Sequence, residues 1–148
     1  MTGTILQVED DENDVLLFQR AVQKAHLHLR VHSVSDGEQA VDYLEGRAAY
    51  ADRLRYPLPD LMLLDLKIPR KSGHEVLEWL RRKSDGLKRM VVVVLTASKE
   101  PADVQRAYDL GANSYLVKPS NFDALTFLVQ ALDTYWLQLN QKPVVEDP

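Results

Sequence analysis

Four short apolar runs in this chain end in polar residues that are suited to chemistry. The runs and the residues that close them are 4–8 with Glu9 and Asp10, 61–64 with Asp65, 91–95 with Thr96, and 115–117 with Lys118. Short apolar runs separated by helical patterns are typical of buried parallel strands joined by crossover helices. Functional sites in such open sheets form outside the carboxyl ends of the strands. The five polar side chains are therefore expected to meet at one edge of a sheet.

The alternation of patterns predicts an α/β fold. Strands are predicted near 4–9, 30–35, 60–65, 90–96 and 113–117. Helices are predicted over 12–25, from 37 to Gly46, after Ser72, from 101 to 110, and from 121 to 139. Right-handed crossovers leave essentially one architecture, a doubly wound three-layer sandwich around a five-stranded parallel sheet. No linker is evident, so residues 1–148 are predicted to form a single domain.

Two segments fall outside this regular alternation. The connection between Gly46 and Asp60 is long for an α/β unit and is predicted to contain a helical extension followed by a turn. The tail over 142–148 has two prolines and two acids and is predicted to be frayed.

Composition excludes several classes of function. A net charge of −4 provides no basic footprint for nucleic acid, and the absence of cysteine excludes disulfides and zinc thiolates. No signal peptide or apolar run of membrane length is present, so the expected location is cytoplasmic. Three carboxylates, a hydroxyl and an ammonium at one sheet edge instead favour Mg²⁺ and phosphoryl transfer, because Mg²⁺ prefers oxygen ligands.

Four segments, in this order and spacing, resemble the response-regulator receiver domain over nearly the whole chain. They are 8–11 (Val-Glu-Asp-Asp), 65–69 (Asp-Leu-Lys-Ile-Pro) with Gly73, 95–98 (Leu-Thr-Ala-Ser) and 111–119 (Gly-Ala-Asn-Ser-Tyr-Leu-Val-Lys-Pro). The resemblance implies a flavodoxin-like receiver fold. The long segment before the third strand and the aromatic-rich last helix extend the resemblance to stand-alone receivers that partner bacterial phytochrome-type histidine kinases.

The resemblance implies a phosphoacceptor site. By this resemblance, Asp65 is expected to be the nucleophile that takes a phosphoryl group from a histidine of the kinase, and the phosphate is expected to be lost later by hydrolysis. The Mg²⁺ ligands implied by the resemblance are Asp10, Asp65 and the main-chain carbonyl of Lys67, with Glu9 binding through water. Lys118 is expected to be the fixed cation near the phosphoryl group.

The resemblance also implies a switch and a means of setting the phosphoryl lifetime. Thr96 is expected to bind a phosphoryl oxygen and move inward, and Tyr115 is expected to turn inward with it. Side chains at the positions of Lys67 and Ser98 tune the phosphoryl lifetime. The family holds the bond between Lys118 and Pro119 in the cis form.

Simpler interpretations apply to other polar residues. Asp11 is predicted to cap the first helix, since acids are favourable there. The same role does not account for Asp10, because a buried sheet end does not otherwise need paired carboxylates. The four histidines are predicted to be surface or packing residues: His26, His28, His32 and His74.

Two other functions are weighed against the phosphoacceptor. A phosphatase of the haloacid-dehalogenase kind also forms an aspartyl phosphate, but it needs a second Asp where this chain has Lys67. A non-catalytic pseudo-receiver would be expected to lack at least one of four key residues, and all are present: Asp10, Asp65, Thr96 and Lys118. A DNA-binding regulator is not expected, since no sequence follows the last predicted helix except the tail.

The last helix carries more apolar residues than one buried stripe requires. Its core face is predicted to consist of Leu125, Leu128, Val129, Leu132 and Trp136. Phe127, Tyr135 and Leu139 then point elsewhere, and exposed aromatic residues are enriched at interfaces. The hypothesis is a two-fold homodimer through the fourth helix, fifth strand and fifth helix, and the alternative is a monomer whose surplus aromatics cover the edge of the core.

Overall fold

The computed structural model describes residues 3–148, and the strands in that range form one parallel five-stranded sheet. The strands are β1 (Gly3–Val8), β2 (Leu29–Val34), β3 (Leu61–Leu64), β4 (Val92–Thr96) and β5 (Ser114–Val117). Their order in the sheet is β2-β1-β3-β4-β5. This is the flavodoxin-like doubly wound order, in which the direction of winding reverses between β1 and β3. The predicted fold class is confirmed.

Five helices connect and follow the strands. They are α1 (Glu12–Lys24), α2 (Gly37–Glu45), α3 (Gly73–Arg81), α4 (Pro101–Asp109) and α5 (Phe122–Leu132). Their ends follow local signals in the sequence. Ser72 and Glu75 form the predicted capping box at the start of α3. Gly46 ends α2 in the left-handed conformation, with φ of 68°. None of the helices within residues 3–148 is long and apolar enough to cross a membrane.

The helices cover both faces of the sheet. α1 and α5 pack on one face through Phe18, Ala21, Val22, Val129 and Leu132. α2 and α3 pack on the other through residues such as Tyr43, Leu44, Val76, Leu77 and Leu80. The central strands β3 and β4 are therefore apolar on both sides, and all their residues are buried. β5 is an edge strand whose residues are only half-buried.

The connection between α2 and β3 contains the predicted helical extension, a single 3₁₀ turn over Ala48–Tyr50. Its tyrosines pack against α2. The rings of Tyr50 and Tyr56 lie 5.2 Å and 6.0 Å from the ring of Tyr43. Aromatic packing therefore holds this long connection to the body of the domain.

The prediction of a frayed tail is wrong. The chain continues beyond α5 as a π-helix over Asp133–Leu139 and then crosses back over the domain. Arg89 donates to the carbonyl of Val144 at 2.9 Å, and Asp147 pairs with Arg53 at 2.7 Å. The tail lacks regular secondary structure, but contacts with residues remote in sequence hold it in place.

Candidate functional site

The five polar residues singled out from the sequence lie at the carboxyl edge of the sheet. Glu9 and Asp10 follow β1, Asp65 follows β3, Thr96 ends β4, and Lys118 follows β5. Parallel pairing sets these strand ends side by side. Glu9, Asp65 and Thr96 are buried, Lys118 is half-buried, and Asp10 is exposed. The edge is thus a charged site built on a rigid sheet.

Lys118 is the centre of the charge network. Its Nζ lies 2.5 Å from Glu9 Oε1, 2.8 Å from Asp14 Oδ2 and 2.9 Å from Asp65 Oδ2. Burial alone would lower the pKa of Lys118, but its hydrogen bonds with Asp14, Glu9 and Asp65 raise that pKa above its ordinary value. The ammonium therefore stays charged and offsets part of the negative charge of the acids.

Glu9 is the most strongly perturbed acid of the site. It is only 5% exposed. Burial raises the pKa of Glu9 to about 7, with a further contribution from the charge of Asp65, although hydrogen bonds from Lys118 and the N–H of Asp11 oppose the rise. Burying the charged form of Glu9 costs free energy, and a further positive charge beside it would offset that cost. The environment of Glu9 therefore indicates a site that favours binding of a cation.

This perturbation predicts a pH dependence of stability in the absence of divalent metal. Because the folded-state pKa of Glu9 lies above its unfolded value, the protonated carboxyl stabilises the fold below about pH 4.5, and that contribution is lost as the pH rises through about 7. Between pH 5 and pH 8, Glu9 should lower the free energy of unfolding by an amount on the order of 2 kcal/mol.

The measurement is urea unfolding with a chelator present, for the wild type and Glu9→Gln. The difference in stability between the two proteins should shift in favour of the variant as the pH rises from 5 to 8. A difference that stays constant over this range would contradict the burial-induced shift.

Three carboxylates at this edge are arranged to hold a hard divalent cation. One oxygen from each of Glu9, Asp10 and Asp65 lies within 4.8 Å of the others. Oxygen ligands of octahedral Mg²⁺ stand about 2.0–2.1 Å from the metal, so oxygens this close to one another are near the spacing that a single ion requires. The donor set therefore fits Mg²⁺. Lys67 adjoins this group, with its N–H 3.4 Å from Asp65 Oδ1, and its carbonyl stays a predicted ligand.

Close approach of two backbone segments shapes the loop after β3. The N–H of Gly73 donates to the carbonyl of Leu66 at 3.0 Å. A Cβ at Gly73 would stand 2.3 Å from the carbonyl oxygen of Asp65, which is a severe clash. Glycine at this position therefore allows α3 to begin against the backbone that presents Asp65.

A second group of polar contacts links the end of β4 to α4 and β5. Ser98 Oγ donates to Asp103 Oδ2 at 2.5 Å, and Tyr115 Oη donates to the carbonyl of Ser98 at 2.9 Å. Burial raises the pKa of Tyr115, so its hydroxyl is protonated and acts as a donor. These bonds tie the loop that follows Thr96 to both neighbouring elements.

Sequence reasoning missed two residues of this region. Asp14 binds Lys118, and Asp103 binds Ser98. Both acids lie in the first turn of a helix, where a favourable interaction with the helix dipole already accounts for them. Nothing in the sequence around either acid indicated the contact.

Other expectations for the edge have mixed outcomes. Asp11 caps α1, accepting from the N–H groups of Asn13 and Asp14. The four histidines lie outside the acidic group, and His74 is a buried packing residue. The prediction of a cis bond between Lys118 and Pro119 is wrong, because residues 3–148 contain no cis peptide bond. The trans form of such a bond is the more stable by about 0.5–1 kcal/mol.

Comparison with known proteins connects this edge to a family. Residues 5–130 match the response regulator receiver domain. FilR2 of Methanothrix harundinacea (strain 6Ac), a probable methanogenesis regulatory protein, is 39% identical over 144 residues, which cover 94% of this chain and 86% of that protein. The response regulator Rcp1 of Synechocystis sp. is 37% identical over 134 residues, 90% of this chain and 88% of Rcp1.

Solved structures of similar proteins agree with the fold. The phosphorylated cyanobacterial phytochrome response regulator RcpA has a TM-score of 0.87 at 35% identity, covering 97% of this chain and 100% of that one. The Mn²⁺-bound form of Rcp1 has a TM-score of 0.83 at 35% identity, covering 96% of this chain and 99% of that one. The similarity thus includes a phytochrome response regulator, RcpA, and extends over nearly the whole of both chains.

Proposed function

Because this chain belongs to the response regulator receiver domain family, we propose that it is a phosphoacceptor whose modified residue is Asp65. The observation that supports this most is the environment of Asp65 at the end of β3. Asp65 is 6% exposed, its Oδ2 lies 2.9 Å from Lys118 Nζ, and two further acids are close by. A nucleophilic carboxylate between a fixed cation and a group of metal-binding oxygens is suited to phosphoryl transfer.

The proposed reaction transfers a phosphoryl group from a phosphohistidine to Asp65. A carboxylate oxygen bonds to phosphorus while the bond between phosphorus and the imidazole nitrogen breaks, and its electron pair stays on that nitrogen. Hydrolysis of the resulting acyl phosphate returns the carboxylate. Lys118 holds a positive charge beside the attacking oxygen, and the rigid ends of β3 and β5 keep the two groups aligned.

Glu9, Asp10, Asp65 and the main-chain carbonyl of Lys67 would hold Mg²⁺, with Glu9 binding through water. The metal would neutralise charge on the phosphoryl oxygens as two anions approach. The acidic group of this chain supports the assignment, and the Mn²⁺-bound form of the related Rcp1 supports it by analogy.

Thr96 and Tyr115 are proposed as the switch residues. Thr96 ends β4 and is buried, and the loop that follows it is bonded to Tyr115 through the carbonyl of Ser98. Movement of Thr96 toward a phosphoryl group would therefore act on a loop already in contact with Tyr115. This arrangement provides a route from the site to the surface of β5.

The proposed phosphodonor is a histidine kinase of the phytochrome type. This partner is inferred from RcpA, which is a phytochrome response regulator, and from the coverage of nearly the whole of both chains. Residues 1–148 are proposed to act as a single receiver domain in the cytoplasm.

The phosphoacceptor function is tested by incubation of the purified protein with acetyl phosphate and Mg²⁺, which should add one phosphoryl group to the intact mass. Protein that remains unmodified would contradict the proposal.

We further propose that the protein forms a two-fold homodimer through α4, β5 and α5. The burial of the last helix supports this proposal, since Val129 and Leu132 are buried while Phe127 is 73% exposed. The other residues of the predicted core face, Leu125, Leu128 and Trp136, are half-buried. Phe127 and Tyr135 line a shallow depression with apolar residues of β5 and α5. An exposed apolar surface beside an edge strand is suited to a partner, and a second copy is the commonest partner.

The dimer predicts that Phe127→Asp converts the protein to a monomer, because a buried, unpaired carboxylate is costly at an interface. Light scattering at micromolar concentration measures the mass. Leu54→Asp is the matched control, since Leu54 is 91% exposed and lies in the connection between α2 and β3. A wild type that is monomeric both with and without phosphorylation would eliminate the dimer.

A further inference from the structure

Lys118 has one carboxylate partner that belongs to neither the nucleophile nor the acidic group. Asp14, in the first turn of α1, accepts a hydrogen bond from Lys118 Nζ at 2.8 Å. The metal-binding group consists of Glu9, Asp10 and Asp65, and Asp14 is outside it. The side chain of Asp14 is 35% exposed, so it is partly withdrawn from water.

An ammonium group has three N–H donors, and the three acceptors of Lys118 match that number. Two of these acceptors change their roles during phosphoryl transfer. Asp65 bonds to phosphorus, and Glu9 faces the proposed metal. Asp14 is the acceptor that neither the metal nor the phosphoryl group requires. It is therefore able to keep its bond to Lys118 before and after the reaction.

Lys118 also has space into which it could move away from Asp65. A cleft of about 160 Å³ between α1 and α5 is lined by Asp14 and Lys118 together with apolar residues such as Phe18 and Leu125. A lysine has a long flexible side chain, and holding it in one rotamer requires a fixed partner. Asp14 stands on a helix and provides that partner at the border of the cleft.

We propose that Asp14 is a positioning residue, which holds the ammonium of Lys118 in place for phosphoryl transfer to Asp65. The inference rests on the proposed phosphoacceptor function. It differs from the ordinary role of an acid in the first turn of a helix, because Asp11 already caps α1 and Asp14 reaches across to the end of β5. An acid that served only the helix dipole would not need this contact.

The experiment measures the rate of phosphorylation by acetyl phosphate in the full chain. Asp14→Ala should lower the rate about tenfold, since misplacement of a group that acts on the transition state is costly. Asp14→Asn keeps an acceptor for Lys118 and should recover part of the rate. Mg²⁺ affinity should stay within about twofold of the wild type, because Asp14 is not a proposed ligand. Glu12→Ala is the matched control, since Glu12 is an exposed acid in the same helical turn.

A double-mutant cycle separates positioning from a general structural effect. In a Lys118→Ala background, Asp14→Ala should have no further effect, because the group that it positions is gone. Equal losses in both backgrounds, an unchanged or faster rate in Asp14→Ala, a loss of Mg²⁺ binding, or the same loss in Glu12→Ala would each overturn the inference. Failure of the wild type itself to become phosphorylated would instead overturn the proposed function.

Discussion

Replacing Asp65 with asparagine is expected to abolish phosphorylation by acetyl phosphate and Mg²⁺. The reaction needs a negatively charged carboxylate oxygen to attack phosphorus, and an amide has neither the charge nor comparable nucleophilicity. Asparagine has nearly the same shape, and its carbonyl oxygen can still accept from Lys118, so the fold should persist. Glu9 and Asp14 also continue to bind Lys118 in the variant.

Intact-mass spectrometry provides the measurement, since an acyl phosphate adds a single phosphoryl group to the chain. Asp109→Asn is the matched control, because Asp109 is an exposed acid at the end of α4, remote from β3 along the chain. That control should be labelled as the wild type is. Undiminished labelling of Asp65→Asn would show that another residue is the phosphoacceptor.

The fold was predictable because it depends on patterns that are local in sequence. A parallel strand covered on both faces must be apolar throughout, and the runs at β3 and β4 satisfy this without interruption. The ends of the helices were predictable where a cap marks them, as at Ser72 and Gly46. The edge strands β2 and β5 were weaker signals, since they are less buried.

The parts of the structure that were not predicted depend on contacts between residues remote in sequence. Asp14 and Lys118 lie 104 positions apart, and nothing in the first turn of α1 shows which of its acids reaches β5. The same applies to the pairing of Asp147 with Arg53. Composition identifies such residues as polar, whereas the packing of α1, α5 and the tail determines their partners.

Replacing Asp10 with alanine is expected to weaken Mg²⁺ binding by about tenfold or more, because a small octahedral ion keeps its water unless carboxylates displace it. Asp10 is the most accessible member of the acidic group, and it does not contact Lys118 in the network described above. Its loss should therefore affect the metal without disturbing the ion pairs of Lys118. Calorimetric titration with Mg²⁺ provides the measurement.

Two further variants distinguish loss of a ligand from loss of negative charge. Asp11→Asn removes the same charge at the neighbouring position and retains an N-cap of equal quality, so it should bind Mg²⁺ nearly as the wild type does. Lys118→Ala removes the cation that lies among the acids, and it should also retain metal binding. In this variant, phosphorylation should no longer alter the surface of β5. Equal Mg²⁺ affinities in Asp10→Ala and the wild type would show that Asp10 is not a ligand of the metal. Equal losses in Asp10→Ala and Asp11→Asn would mean that the ion responds to the field of the acids and not to a direct bond with Asp10.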